Sequence, residues 1–214
     1  MARTKSNGKC SLCGGNFSKA AMGKHLKSCR QKEDTPKAQK GFHLVVEGRH
    51  SPGYWMHLEV PAKTTLEEID HFLRDIWLEC CGHLSAFTIE GKEYSFSPMG
   101  IEEGIDVAIG KLLSPGMKFY HEYDFGTTTE LTLRVLSEEK VKAGDEPIRL
   151  LARNDSPKIA CDECEKAATQ VCVECMWEGG GWLCDECAQE HECGEEMLLP
   201  VVNSPRVGMC GYTG

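Results

Sequence analysis

Four Cys-x-x-Cys pairs, Cys10/Cys13, Cys161/Cys164, Cys172/Cys175 and Cys184/Cys187, constrain this chain more than any other feature. A thiol pair at that spacing turns its two sulfurs toward one point, the arrangement of structural zinc ligands. The chain has 13 cysteines in 214 residues. Its first residues, MARTKSNGKC, begin basic but lack the apolar stretch of a secretory leader, so a cytoplasmic chain with reduced thiols is expected. No apolar run approaches the roughly 18 residues of a membrane span, so no membrane association is expected.

The first pair continues as Cys10-x2-Cys13-x11-His25-x3-Cys29, close to a Cys2His2 finger with Cys in the last place. Phe17 and Met22 stand where such fingers keep their miniature core. A helix over about 18–29 puts His25 and Cys29 four residues apart on one face, aimed at the same ion. Some thirty residues bury too little apolar surface to fold alone, whereas a structural zinc supplies roughly 10 to 16 kcal/mol of apparent binding energy. At the positions where tandem fingers read bases stand Ser18, Ala21 and Lys24, which predicts little sequence discrimination. Lys19, Lys24, Lys27 and Arg30 could instead contact phosphates, or form a solvated basic face.

From Cys161 the ligands run to His191 and Cys193, eight for two ions. Interleaved pairing joins Cys161, Cys164, Cys184 and Cys187, leaving Cys172, Cys175, His191 and Cys193 for the second ion. Sequential pairing of the first two knuckles is the second choice. The string LCDECAQEHEC resembles B-box-type zinc modules, although His191 and Cys193 replace their last two histidines at tighter spacing. Cys210, in PRVGMCGY, is the alternative last ligand. Neither scheme leaves an open coordination position, which argues for structural ions. Three zinc ions per chain are therefore expected.

Charge divides the chain further. Residues 1–40 carry ten Lys/Arg against two acidic residues, residues 41–157 carry 11 against 20, and residues 158–214 carry 3 against 11. Only the first segment attracts a phosphate backbone; the acidic last segment favours a protein partner or packing against the middle domain. The polar stretches at 31–40 and 153–157 read as linkers, giving a finger (1–30), a middle domain (41–152) and a cross-brace-like binuclear module (158–214).

The middle domain alternates like a sheet. Strands are predicted over 42–47 and 54–60, around a turn at Pro52 and Gly53. A helix capped by Thr65 and Glu68 follows, burying Leu66, Ile69, Phe72, Leu73 and Ile76. Further strands fall over 84–90 and 93–96, a helical stretch over 107–113, then strands over 117–125 and 131–135. The fold class expected is α+β: a small mixed sheet crossed by one principal helix, grasp-like in order, flanked by two zinc-stabilised modules. Cys80, Cys81 and His83 end the helix as a candidate metal or nucleophile cluster, with buried small hydrophobes the default reading of vicinal cysteines beside an apolar helix. His57, His71 and His121 read as core or surface histidines.

Residues 41–138 resemble the Ri-plasmid open-reading-frame-three-like family of insertion-sequence passenger proteins. The resemblance rests on Val60, Pro61, Thr65, Leu66, Trp77, His83, Leu84, Phe87, Tyr123, Asp124, Phe125 and Gly126. It implies an α+β domain and assigns no reaction. The chain departs from the family where an Asp and aromatic residues usually follow Tyr-Asp-Phe-Gly, with Thr127, Thr128 and Thr129 in their place.

Twelve spaced ligands without an assembled catalytic set point to a non-enzymatic zinc-binding interaction protein. The alternative is a nucleic-acid-associated factor tied to mobile elements, touching phosphates weakly through residues 1–40. A third reading is an enzyme with a site around His83, Tyr123 and Asp124.

Overall fold

The computed structural model describes residues 6–30, 38–96, 103–142 and 148–214. Strands β1 (Asn7–Cys10) and β2 (Asn16–Ser18) lead into helix α1 (Lys19–Arg30), whose first turn is capped by the Ser18 hydroxyl accepting from the Ala21 amide. Strand β3 (Ala38–Gly48) turns into β4 (Trp55–Pro61). The linker expected over 31–40 thus gives up its last three residues to β3, and 31–37 lie outside the described residues.

Helix α2 (Leu66–Leu73) begins with the capping box that Thr65 and Glu68 predict: the Glu68 amide donates to Thr65 Oγ1, and the Thr65 amide donates to Glu68. A wide π-type turn over Arg74–Leu78 then swings Trp77 fully into the core. Strands β5 (Ser85–Ile89), β6 (Lys92–Ser95), β7 (Glu103–Gly104), β8 (Lys118–Tyr123) and β9 (Thr129–Lys142) follow, then β10 (Arg149–Asn154).

These ten strands form one sheet in the order β2-β1-β10-β4-β3-β9-β8-β5-β6-β7, antiparallel except for β6 with β7. The sheet is not the small one expected, because the finger adds its own strands: Gly8 pairs with Asn154 and Cys10 with Ala152. Gly8 allows no side chain, since a Cβ there would stand 2.4 Å from the Arg153 carbonyl oxygen and 2.6 Å from the Trp55 ring. Arg153 and Asn154, expected in a linker, are strand residues. The Asn154 side-chain oxygen accepts from the Trp55 amide at 2.9 Å.

Alternation along β3, β4 and β9 gives the sheet two apolar faces. Phe42, Leu44, Val46, Met56, Leu58, Val60, Leu131, Leu133 and Val135 pack with Leu66, Ile69, Leu73 and Trp77 into the main core. On the opposite face Trp55 joins Cys10, Met22, Leu26, Leu151 and Ala152 in a second core beneath α1. Charged contacts hold that helix to the sheet, Lys19 to Glu47 and Arg30 to Glu59 and Glu139. Beneath it, His43 Nε2 and His57 Nδ1 lie 2.9 Å apart and buried.

The C-terminal part holds a three-stranded sheet of β11 (Gln170–Cys172), β12 (Trp182–Leu183) and β13 (Leu198–Pro200), with β11 central, and a short helix α3 (Asp185–Gln189). Val171 and Val207 belong to the main core, so this part packs on the domain before it. Among the described residues, no helix is long and apolar enough to cross a membrane.

Candidate metal centres

Four sets of Cys and His side chains converge, and within each set the ligand atoms lie within 4.8 Å of one another. The first is Cys10, Cys13, His25 and Cys29. Cys10 ends β1 and Cys13 follows in the tight turn, where the Cys10 amide donates to the Gly15 carbonyl and the Gly14 amide to the Cys10 carbonyl. Helix α1 supplies His25 and Cys29. Its register buries Met22 and Leu26 while turning His25 toward Cys13, with Nε2 3.4 Å from the sulfur. Phe17 stacks on the His25 ring at 3.8 Å and fixes its plane.

The second and third sets are Cys161, Cys164, Cys184 and Cys187, and Cys172, Cys175, His191 and Cys193. They interleave along the chain, so each set spans the other. Sulfur separations of 3.6 Å (Cys164 to Cys184) and 3.7 Å (Cys175 to Cys193) fit the edge of a tetrahedron around zinc, about 3.8 Å for Zn–S bonds of about 2.3 Å. Cys193 completes the third set. Cys210, the alternative ligand, lies elsewhere.

Backbone amides favour ionisation of the first thiol in each C-terminal knuckle, Cys161, Cys172 and Cys184. Burial opposes the Cys161 thiolate, yet the amides of Cys184, Glu163 and Cys164 bring it down to about 6. Cys172 comes down to about 7 against the same burial cost, through the Cys175 amide, the His191 ring and the Glu174 amide. Cys29 moves the other way, to about 11, through burial and the crowding of the Cys13 and Cys10 sulfurs. A divalent cation relieves such crowding, which is why ligand thiols ionise when metal binds.

The fourth set, Cys80, Cys81, His83 and Cys210, was not assembled from the sequence. Cys81 is exposed and Cys80 half-buried, so the pair is not the buried hydrophobic feature expected. Arg74 shapes their loop: its Nε donates to Asp70, one of its Nη atoms to Glu79, and the other to the His83 carbonyl and Ser85 Oγ. Gly82, at φ +76°, supplies the left-handed residue that turns the chain between Cys81 and His83. The only advance signal was Cys80-Cys81-x-His83 together with Cys210, which stands 127 residues beyond His83.

His83, Tyr123 and Asp124, the residues of the enzyme reading, do meet. His83 Nε2 is 3.5 Å from Asp124 Oδ2, and its ring meets Tyr123 edge-on at 5.7 Å. Arg206, from the C-terminal tail, donates to Asp124 at 2.7 Å and lies over the Tyr123 ring at 4.8 Å. Of the other histidines, His121 contacts Asp70 at 2.7 Å in the core, His57 meets His43, and His71 lies near Phe96.

No family model matches the chain, and no curated protein matches it. Among solved structures it is similar to a protein of unknown function from Methanosarcina mazei Go1, at 16% identity over 55% of this chain and 71% of that one, with a TM-score of 0.49.

Proposed function

We propose that this is a non-enzymatic, cytoplasmic zinc protein whose α+β domain, of the Ri-plasmid open-reading-frame-three-like kind, carries a finger and a cross-brace module that recruit a protein partner. The observation that carries the reading is the convergence of twelve Cys and His ligands into three complete sets of four. A closed four-ligand site leaves no position for a reactive water, so zinc there contributes folding energy rather than chemistry. The residues fit that ion: soft thiolates with imidazole select zinc over hard cations.

The partner surface we favour lies on the acidic C-terminal segment. Trp177, in the turn after Cys175, is 66% exposed, a large aromatic presented to solvent beside a metal set. Exposed aromatics of this kind anchor protein interfaces. The nucleic-acid reading loses two of its four cations to the sheet, since Lys19 and Arg30 are engaged by Glu47, Glu59 and Glu139.

Elemental analysis of the intact chain tests the zinc assignment, with at least three ions expected. Cys161→Ser and Cys184→Ser should each lose one ion, and the double variant no second one, because both act on one site. Fewer than three ions in the native protein would sink the reading, as would loss of two by the double variant. Trp177→Ala should leave metal content unchanged and weaken capture of the partner.

A further inference from the structure

We propose that Cys80, Cys81, His83 and Cys210 bind a fourth zinc ion, which fastens the C-terminal tail to the rim of the main sheet. The proposal rests on the zinc reading above but uses none of its twelve ligands.

The donor set is three thiols and one imidazole, the same kind as the first and third sets. Cys81 Sγ lies 3.7 Å from both Cys80 Sγ and Cys210 Sγ. Those separations match the roughly 3.8 Å edge expected of thiolates on one tetrahedral zinc. His83 Nε2 stands closer, at 2.9 Å from Cys81 and 3.2 Å from Cys210. The imidazole is therefore the ligand that must shift outward as an ion enters.

Independent elements deliver the two halves of the set. The loop carrying Cys80, Cys81 and His83 is held by Arg74 and closed by the Gly82 amide donating to Glu79. Cys210 arrives on a tail anchored by Ser204, whose hydroxyl donates to the Trp77 carbonyl at 2.6 Å. Arg206, fully buried, donates to Thr127, Thr129 and Asp124. Between these anchors and the chain end, Cys210 adopts φ +49°, a conformation that non-glycine residues seldom take.

Charge agrees. Three thiolates and one divalent ion leave a single negative charge, and Arg206 Nη2 lies 3.3 Å from Cys80 Sγ, placed to donate to that ligand. Such outer partners orient ligands and tune the metal they hold. Cys81 and Cys210 are exposed. Cys13 and Cys164 are exposed as well, but each of the other sets also holds a buried thiol (Cys10, Cys161, Cys172 or Cys184), whereas the fourth set holds none. The fourth ion is therefore the most accessible to a chelator.

The test is metal content of the intact chain purified under reducing conditions, with Cys81→Ser, Cys210→Ser and the double variant. Four ions are expected in the native protein and three in each variant. Hydrogen exchange across residues 204–212 should rise in all three variants. Cys81 is an exposed loop residue, so its variant keeps the test alive if the tail variant fails to fold. Three ions in both native and Cys210→Ser protein would overturn the fourth site while leaving the other three standing. Fewer than three in the native protein would sink the zinc reading beneath it. Four ions retained by Cys210→Ser would also overturn the proposal.

Discussion

Lowering the pH should loosen this protein through His43 and His57, two imidazoles that belong to no metal set. They face each other on β3 and β4 beneath helix α1, each only 3% exposed. One N–H donates to the other ring's lone pair; protonating the acceptor ring removes that acceptor, and protonating the donor ring leaves a cation in a buried site. Burial, then the facing His57 and Arg30, bring His43 down to about 3. Burial, then Arg134, Arg30 and Lys19, bring His57 down to about 4. In the unfolded chain both titrate near 6.5. The unfolded state therefore takes up protons that the folded state refuses. The stability contributed by the neutral pair is fully present above 6.5 and is lost as pH falls toward 4. At pH 5.5 each unfolded imidazole is one unit below its pKa, which costs the fold about 1.4 kcal/mol, or about 3 kcal/mol for the pair. Urea unfolding at pH 7.5 and 5.5, for native protein and for His43→Gln/His57→Gln, isolates this term. On the proposed zinc assignment acid also strips metal from the thiolates, a loss common to both proteins that cancels in the comparison. The native protein should lose about 3 kcal/mol more than the variant between the two conditions. Equal losses, within about 1 kcal/mol, would refute the reasoning and mean that the folded pair accepts a proton as readily as water-exposed histidine.

Leu26→Ala should destabilise the protein by about 3 kcal/mol in urea unfolding, because Leu26 is fully buried among Met22, Trp55 and Leu151. A loss below about 1 kcal/mol would mean the finger rides loosely on the sheet. Duplex DNA should bind the intact chain weakly, through the exposed Lys24 and Lys27. Fluorescence anisotropy should give a log-log salt slope no steeper than about −2, and Lys24→Glu/Lys27→Glu should abolish binding. Tight, sequence-selective binding would restore the nucleic-acid reading.

What could be read from the sequence was local. The capping box at Thr65 and Glu68 and the knuckle spacings are signals carried within a few residues, and the structure places them on the elements they predict. The size of the sheet was not legible. Strand β10 reads as a polar turn because Arg153 and Asn154 spend their polar groups on Asn203 and on the Trp55 amide, contacts about 50 and 100 residues away. Docking of the finger is equally remote in sequence, resting on Gly8 beside Asn154 and on Trp55 beneath α1. The fourth cysteine set failed for the same reason: no periodicity connects His83 to Cys210. Its loop was read only in part, since Cys80 does pack against the main core while Cys81, one residue on, is exposed.

The pairing of β1 with β10 imposes an order on synthesis. Residues 7–10 leave the ribosome about 140 residues before the strand they lie against. At roughly 5 to 20 residues per second, that is a wait on the order of ten seconds. On the zinc reading proposed above, the first set of thiols closes on its ion within that interval, giving a folded finger with one side of β1 bare and Met22 and Leu26 without the Leu151 and Ala152 that complete their core. A bare strand edge beside exposed apolar side chains is an invitation to the same segment on a neighbouring nascent chain. If the proposed zinc assignment holds, metal supply during translation, rather than in the finished molecule, decides whether the emerging finger holds its shape until β10 arrives.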